Sequence, residues 1–324
     1  MDSGEPGLRW KSAYRGARIL VTGGLGFVGS NLVRALSLSG ATTVVLDDLF
    51  TGDRANIAGV ENVEIVVGSV TDRETVRRTS AGVDLIFHLA CRGLIVSMRD
   101  PYMDCQVNTL GTMNVLASAH EAGVRRVVYT STASVYGNPQ RLPAREEDLP
   151  SLLSPYSASK HAGEGFCSAY YSSYGLPVAV LRYSNVYGRM QRTSNPYCGV
   201  VSRFMESALK DEPLSIHGDG EQTRDFTYID DAVDATLLAG ASVKAEGSVY
   251  NVSTAREVTV NRLADLVIRL TGSRSTVQYV PRRDIDTIFR RVLSAERIRH
   301  DLGWYAHTSI DDGLIWTLAW MRGE

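Results

Sequence analysis

Short apolar runs rich in β-branched residues recur along the chain up to Tyr183: ARILVT from Ala17, TTVVLD from Thr42, VEIVVG from Val63, DLIFHLA from Asp84, RRVVYTST from Arg125 and VAVLRY from Val178. Between them, stretches such as NLVRALSLSG and QVNTLGTMNVLASAHEAG set apolar residues at helical spacing. Strands that are apolar throughout are buried on both faces, and their alternation with helices predicts a parallel sheet covered on both sides. After residue 185 the pattern loosens through GRMQRTSNPYCGVVSRF and EPLSIHGDGEQTRDF, then sharpens again in DDAVDATLLAGA and GSVYNVS. The expected fold class is α/β. A doubly wound domain spans 17–185, a smaller mixed α/β domain spans 186–324, and the segment at about 229–253 folds back into the first. The opening MDSGEPGLRWKSAYRG reads as a loose tail.

Composition narrows this picture by exclusion. The formal charge of -2 over 324 residues, with basic residues scattered, gives no footprint for nucleic acid or a membrane surface. Cys91, Cys105, Cys167 and Cys198 show neither CxxC pairing nor metal-ligand spacing, so reduced thiols and no metal are expected. No apolar leader opens the chain and no later run is long enough to span a bilayer, so a soluble, cytoplasmic protein is expected.

The first strand runs into TGGLGFVG, with Gly23, Gly26 and Gly29 between strand and helix and Phe27 and Val28 opening that helix. In a Rossmann-type strand-turn-helix unit, the first glycine makes the tight turn and the second admits a pyrophosphate. The third lets helix and strand pack closely, and the helix N-terminus offers N–H donors to the anion. The alternative is a glycine-rich turn that binds nothing. The next strand ends at Asp47, where a carboxylate accepts hydrogen bonds from an adenine-ribose diol and repels a 2'-phosphate, favouring NAD over NADP. A strand-end capping role for Asp47 is the other reading.

SPYSASKHAGE places Tyr156 four residues before Lys160, on one helical face. A tyrosine titrates near 10, so a phenolate base at neutral pH needs about 4 kcal/mol of stabilisation, which an ammonium and a nicotinamide cation together supply. Thr132, ending the preceding strand, stands where open α/β sheets bind ligands. Its hydroxyl is placed to bond the substrate oxygen that Tyr156 deprotonates. Against this stand two structural readings: Tyr-x-x-x-Lys pairs arise by chance in helices, and strand-end hydroxyls satisfy local backbone.

Taken in order, these features resemble the extended short-chain dehydrogenase/reductases of the nucleotide-sugar epimerase/dehydratase family. The likeness runs from about residue 17 to 322. It rests on TGGLGFVG, LDDL, DLIFHLA, VNTLGTMNVL, YTSTASVYG, SPYSASK and LRYSNVYG, and further on NPYCGVV, IHGDGEQTRDFTYIDDA, YNVS and DLGW. The resemblance implies an NAD cofactor, a UDP-sugar substrate and a catalytic Thr132, Tyr156 and Lys160. It implies cofactor contacts at Gly23, Gly26, Phe27, Val28, Asp47, Asp48, Ser69, Val70, Leu89, Ala90, Asn108, Tyr156, Lys160 and Tyr183. Substrate contacts are implied at Ser134, Asn185, Arg192, Val200, Arg224, Arg283 and Asp286. The chain departs from the family pattern at Ser69, for a usual aspartate, at Cys91, for a usual small residue, and at Ile285, for a usual glycine. The loop CRGLIVSM is also short.

The shared first step in such enzymes is hydride transfer from sugar C4 to NAD. Dehydratases of the family read TDE at the catalytic threonine, where this chain has TAS with Ala133 and Ser134, so elimination lacks its acid/base pair. Decarboxylases read ACPASP where this chain has ACRGLI. The expectation that remains is 4-epimerisation, with a UDP-glucuronate 4-epimerase or decarboxylase, a 4-ketoreductase and an idle NAD-binding regulator as alternatives. Neutral hexose or N-acetylhexosamine is the expected sugar, with an arginine at 192 pointing to an acidic one as the alternative. Relatives dimerise through helices that fall here at about 103–122 and 156–174, so a homodimer is expected.

Overall fold

A computed structural model describes residues 10–195 and 198–324, so residues 1–9 and Pro196 and Tyr197 of NPYCGVV lie outside it. The predicted strands all form: β1 (Arg18–Thr22), β2 (Thr42–Asp47), β3 (Val63–Val67), β4 (Leu85–His88), β5 (Arg126–Thr132) and β6 (Val178–Tyr183). With α1 (Lys11–Tyr14) before β1, the intervening helices are α2 (Phe27–Leu38), α3 (Arg73–Ser80), α4 (Leu94–Arg99), α5 (Pro101–Asp104), α6 (Gly111–Glu121) and α7 (Pro155–Tyr174). A π-helical segment, Cys105–Leu110, joins α5 to α6.

Beyond β6 come β7 (Asn185–Tyr187), α8 (Val200–Leu209), β8 (Leu214–His217), β9 (Thr223–Arg224), β10 (Phe226–Tyr228) and α9 (Ile229–Ala241). They are followed by β11 (Val249–Val252), β12 (Val258–Thr259), α10 (Val260–Thr271), β13 (Val277–Val280), α11 (Glu296–Leu302) and α12 (Ile310–Arg322). The main sheet has seven parallel strands in the order β3-β2-β1-β4-β5-β6-β11. Strand order reverses between β1 and β4, which opens a crevice at their carboxyl ends. α3, α6 and α7 cover one face, while α2 and α9 pack together on the other. The later segments pair into small two-stranded sheets, β7 with β10, β9 with β12 and β8 with β13.

The tail expectation fails where the chain is described. Trp10 and Tyr14 are buried; the Trp10 indole donates to Asp234 at 2.6 Å and the Tyr14 hydroxyl to the Leu237 carbonyl at 2.5 Å. Two aromatics four residues apart share a helical face, and burying both rings against α9 outweighs the polar surroundings.

Helix α7 carries the candidate catalytic pair, and its start and tilt are both fixed. Ser154 caps it, with Ser157 reciprocating, Pro155 fills the first turn, and Gly175 closes it in the left-handed region. Gly163 lets the helix approach β5, since a Cβ there would stand 2.7 Å from the Tyr129 ring. One turn before Gly163, and a further turn on, Lys160 and Glu164 continue the face that begins with Tyr156. Glu164 takes two hydrogen bonds from Arg182 of β6, at 2.9 and 2.7 Å, with both side chains buried. The remaining Arg182 nitrogen donates to the Tyr136 hydroxyl at 2.8 Å, which donates to Asn251 at 2.7 Å.

Burial pushes the Glu164 carboxyl up, but hydrogen bonds from His161 and Arg182 and the Arg182 charge overcome it, leaving a pKa of about 2. A depressed carboxyl stabilises the fold above its unfolded value and loses that stabilisation as pH falls through the folded one. Replacing Glu164 by Leu strands the Arg182 charge and is expected to cost about 3–5 kcal/mol of unfolding free energy near neutrality. In urea melts at a series of pH values, the gap between native and variant protein should shrink between pH 4.5 and 2.

Candidate active site

The glycine turn bends where only glycine fits. Gly23 has φ of +70°, and a Cβ on it would lie 2.8 Å from the Ala90 amide nitrogen. A Cβ on Gly29 would collide with the Gly23 carbonyl oxygen. The backbone of β1, the turn and the start of β4's exit loop therefore touch directly, beside a cleft of about 210 Å³. Gly23, Gly26, Phe27 and Val28 line it from the turn, Asp47 and Asp48 from the end of β2, and Val70, Leu89 and Ala90 from the segments that leave β3 and β4.

Both readings of Asp47 coexist. Its oxygens accept the Leu25 and Leu49 amides at 2.9 and 2.8 Å, so it braces the turn, yet it also borders the cleft. Burial raises its pKa against those same hydrogen bonds. Asp48 is paired at 2.6 Å with Arg92, whose guanidinium lies 4.0 Å from the centre of the Phe50 ring. No sequence signal points to this pair, since its partners lie on separate loops. Ser69 is engaged locally by Thr71 at 2.9 Å, and its neighbours Gly68 and Val70 face the cleft. Asn108 is fully buried, accepting the Arg92 amide at 2.7 Å and donating to Asp104 at 2.6 Å, so it fixes the cleft wall. Tyr183 bonds Thr236 at 2.6 Å.

At the carboxyl end of β5, Thr132 accepts the Ser134 amide at 3.1 Å and lies near enough to Tyr156 to lower its pKa. Lys160 is 2% exposed, with its ammonium 4.3 Å from the centre of the Tyr129 ring. The expected depression of Tyr156 does not arise from the protein alone: burial, then Cys91, raise its pKa, against the lowering effect of Thr132 and Arg291. Burial likewise lowers the Lys160 pKa. Tyr156 thus sits as a neutral phenol while the weakened Lys160 ammonium lies over the Tyr129 ring, and added positive charge near the phenol tips it toward ionisation. His88, between Thr22 and Thr112 at 2.7 and 2.9 Å, is driven by burial to a pKa of about 3 and stays a neutral strut.

On the far side, the Asn185 side-chain oxygen is shielded from solvent without a hydrogen-bond partner. Arg224 donates to the Thr223 carbonyl at 2.7 Å, with its pKa lowered by burial. Arg283 and Asp286 pair with each other through two contacts of 2.8 Å, partly exposed. Ser134 is buried next to Thr132, and Val200 begins α8. Arg192 donates to Asn56 at 2.9 Å in a second cavity of about 290 Å³, lined by residues such as Phe27, Phe50 and Asp53 rather than by Tyr156 or Thr132. Arg291, absent from the sequence expectations, acts on both Tyr156 and Arg224. Nothing in FRRVLS separates it from its exposed neighbour Arg290.

This geometry has relatives. Residues 19–253 match the model of the NAD dependent epimerase/dehydratase family. The chain belongs to that family. The UDP-glucose 4-epimerase of Mycolicibacterium smegmatis is 35% identical over 313 residues, covering 95% of this chain and 99% of the relative. The structure of UDP-glucose 4-epimerase from Thermotoga maritima with UDP-glucose superposes with a TM-score of 0.90 at 34% identity, covering 94% of this chain and 99% of the other. That of the Thermus thermophilus UDP-glucose 4-epimerase with NAD gives 0.86 at 36%, with coverage of 94% and 99%.

NAD is the cofactor, and the residues present fit it: a glycine turn with no room for a Cβ, and the Asp47 carboxylate bordering the same cleft. Bound there, NAD supplies a hydride acceptor and the positive charge of its nicotinamide.

Gly23→Val forces a β-branched residue into the left-handed region and against Ala90, and is expected to weaken NAD binding at least ~10-fold. The measurement is NAD released by acid from purified native and variant protein, alongside calorimetry with added NAD.

Proposed function

We propose that this protein interconverts the C4 epimers of a UDP-activated sugar through a transient 4-keto intermediate, with NAD retained between turnovers. The observation that carries this reading is Thr132 at the carboxyl end of β5 near Tyr156, with Lys160 one turn further along α7 and buried over the Tyr129 ring, and only Ala133 and buried Ser134 following Thr132. Dehydration across C5–C6 needs an acid and a base there, and neither side chain offers one. With no outlet for the ketone, the hydride returns to the opposite face and the overall reaction is redox-neutral.

On this reading residues 17–185, with the segment at about 229–253, hold the cofactor and 186–324 hold the nucleotide sugar. Asn185, Arg224, Arg283 and Asp286 then take the nucleotide and diphosphate, the Arg283–Asp286 pair opening to do so. A homodimer through α6 and α7 is supported by exposed Leu110, Tyr171 and Tyr174 along those helices. A cytoplasmic site of action is supported by four free cysteines. Among the described residues no helix is long and apolar enough to cross a membrane.

Mass spectrometry and chromatography of a UDP-sugar incubated with enzyme and no added cofactor test the reaction. Unchanged mass with altered retention is expected. Loss of water or carbon dioxide, or turnover only with added NADH, would overturn it. Tyr156→Phe is expected to lower kcat by about 10²–10⁴ while NAD stays bound, as for loss of a general base; undiminished function in that variant would favour a regulatory role.

A further inference from the structure

Among the described residues, Arg291 is a cation that acts on the Tyr156 phenol and forms no ion pair with a carboxylate. Arg291 lies between β13 and α11, in a segment tied down on both sides of it. Arg290 makes a two-point ion pair with Glu257, at 3.0 and 2.5 Å. Val292 accepts the Ala144 amide at 2.9 Å, and the Leu293 amide reaches Asp225 at 3.5 Å. Held inward by these neighbours, Arg291 has its Nε shielded from solvent without a hydrogen-bond partner. The charges that act on it are Arg224, which repels it, and Tyr156; no carboxylate is among them. Burial, then Arg224, bring its pKa down to about 9. A guanidinium set this way is unfavourable until an anion meets it.

We propose that Arg291 recognises an anionic group on the sugar itself, the carboxylate of a hexuronate, which places the substrate of this site among acidic UDP-sugars. The inference rests on the C4-epimerase reading. Of the arginines on the substrate side, Arg291 is the one that acts on the Tyr156 hydroxyl, which marks the position of sugar O4. In a hexuronate the carboxylate hangs on C5, the neighbour of C4, so it falls within reach of the same pocket. The planar guanidinium fork matches a carboxylate through paired hydrogen bonds, and an uncharged hydroxymethyl group leaves that fork unanswered. Arg192, the arginine that the sequence singled out for an acidic sugar, lies in the other cavity beside Asn56.

Calorimetry on the NAD-loaded enzyme with UDP, UDP-glucose and UDP-glucuronate tests this. UDP-glucuronate is expected to bind at least ~10-fold tighter than UDP-glucose, the span set by a hydrogen bond to a charged group. Arg291→Gln is expected to erase that preference and Arg291→Lys to keep part of it, with NAD content and thermal unfolding reporting that each variant is folded. No preference in the native enzyme overturns the proposal, as does an equal loss for all three ligands, which would make Arg291 a diphosphate contact. Should Arg291→Gln not fold, the native preference and the lysine variant decide. Failure of the C4 reading looks different: no nucleotide sugar binds, or one binds and no epimer forms.

Discussion

The bidentate pair between Glu164 and Arg182 is the ruler of this molecule. It ties the third turn of α7 to β6 one register position from the end of that strand, and Ser131 of β5 pairs with Arg182 itself. Because Tyr156, Lys160 and Glu164 share a helical face, fixing the last fixes the height of the first two above the sheet. Thr132, the residue after Ser131, then meets Tyr156 without further adjustment. Catalytic groups need placement to a fraction of an ångström, and a salt bridge inside the protein, with each oxygen and nitrogen matched, holds position better than apolar contacts that slide.

Around that ruler, the electrostatics run against ordinary protein practice. The catalytic region collects Lys160, Arg224 and Arg291 with burial opposing each charge. Its nearby acids are committed elsewhere, Glu164 to Arg182 and Asp104 to Ser97 and Asn108. Such a pocket is unfavourable by itself and becomes favourable when diphosphate and other anionic oxygens enter, so substrate binding and site assembly share one driving force. For the phenol itself the balance is different: Arg291 lowers the Tyr156 pKa, but burial and Cys91 outweigh it until further positive charge arrives.

How much of this was legible beforehand depended on the range of the forces involved. The strands and their parallel order follow from local apolar runs, and the glycine turn announces itself because Gly23 has a positive φ and Gly29 answers to a backbone contact within the motif. Tyr156, Lys160 and Thr132 could be picked out since each sits at a fixed offset from a predicted element. What stayed hidden was tertiary. Arg290 and Arg291 are adjacent and alike in sequence, yet one lies outside on Glu257 and the other faces inward, a difference decided by Asp225 and Ala144 far along the chain. The Asp48–Arg92 bridge depends on two loops separated by 44 positions. Trp10 and Tyr14 were lost in a polar tail because nothing nearby reveals that α9 offers them a surface.

That bridge has a mechanical meaning. Arg92, stacked on Phe50 and bonded to Asp48, joins two loops that both line the cleft. Moving either loop away from the cleft therefore breaks a salt bridge and a ring contact together, so that side of the cleft widens in one step or not at all.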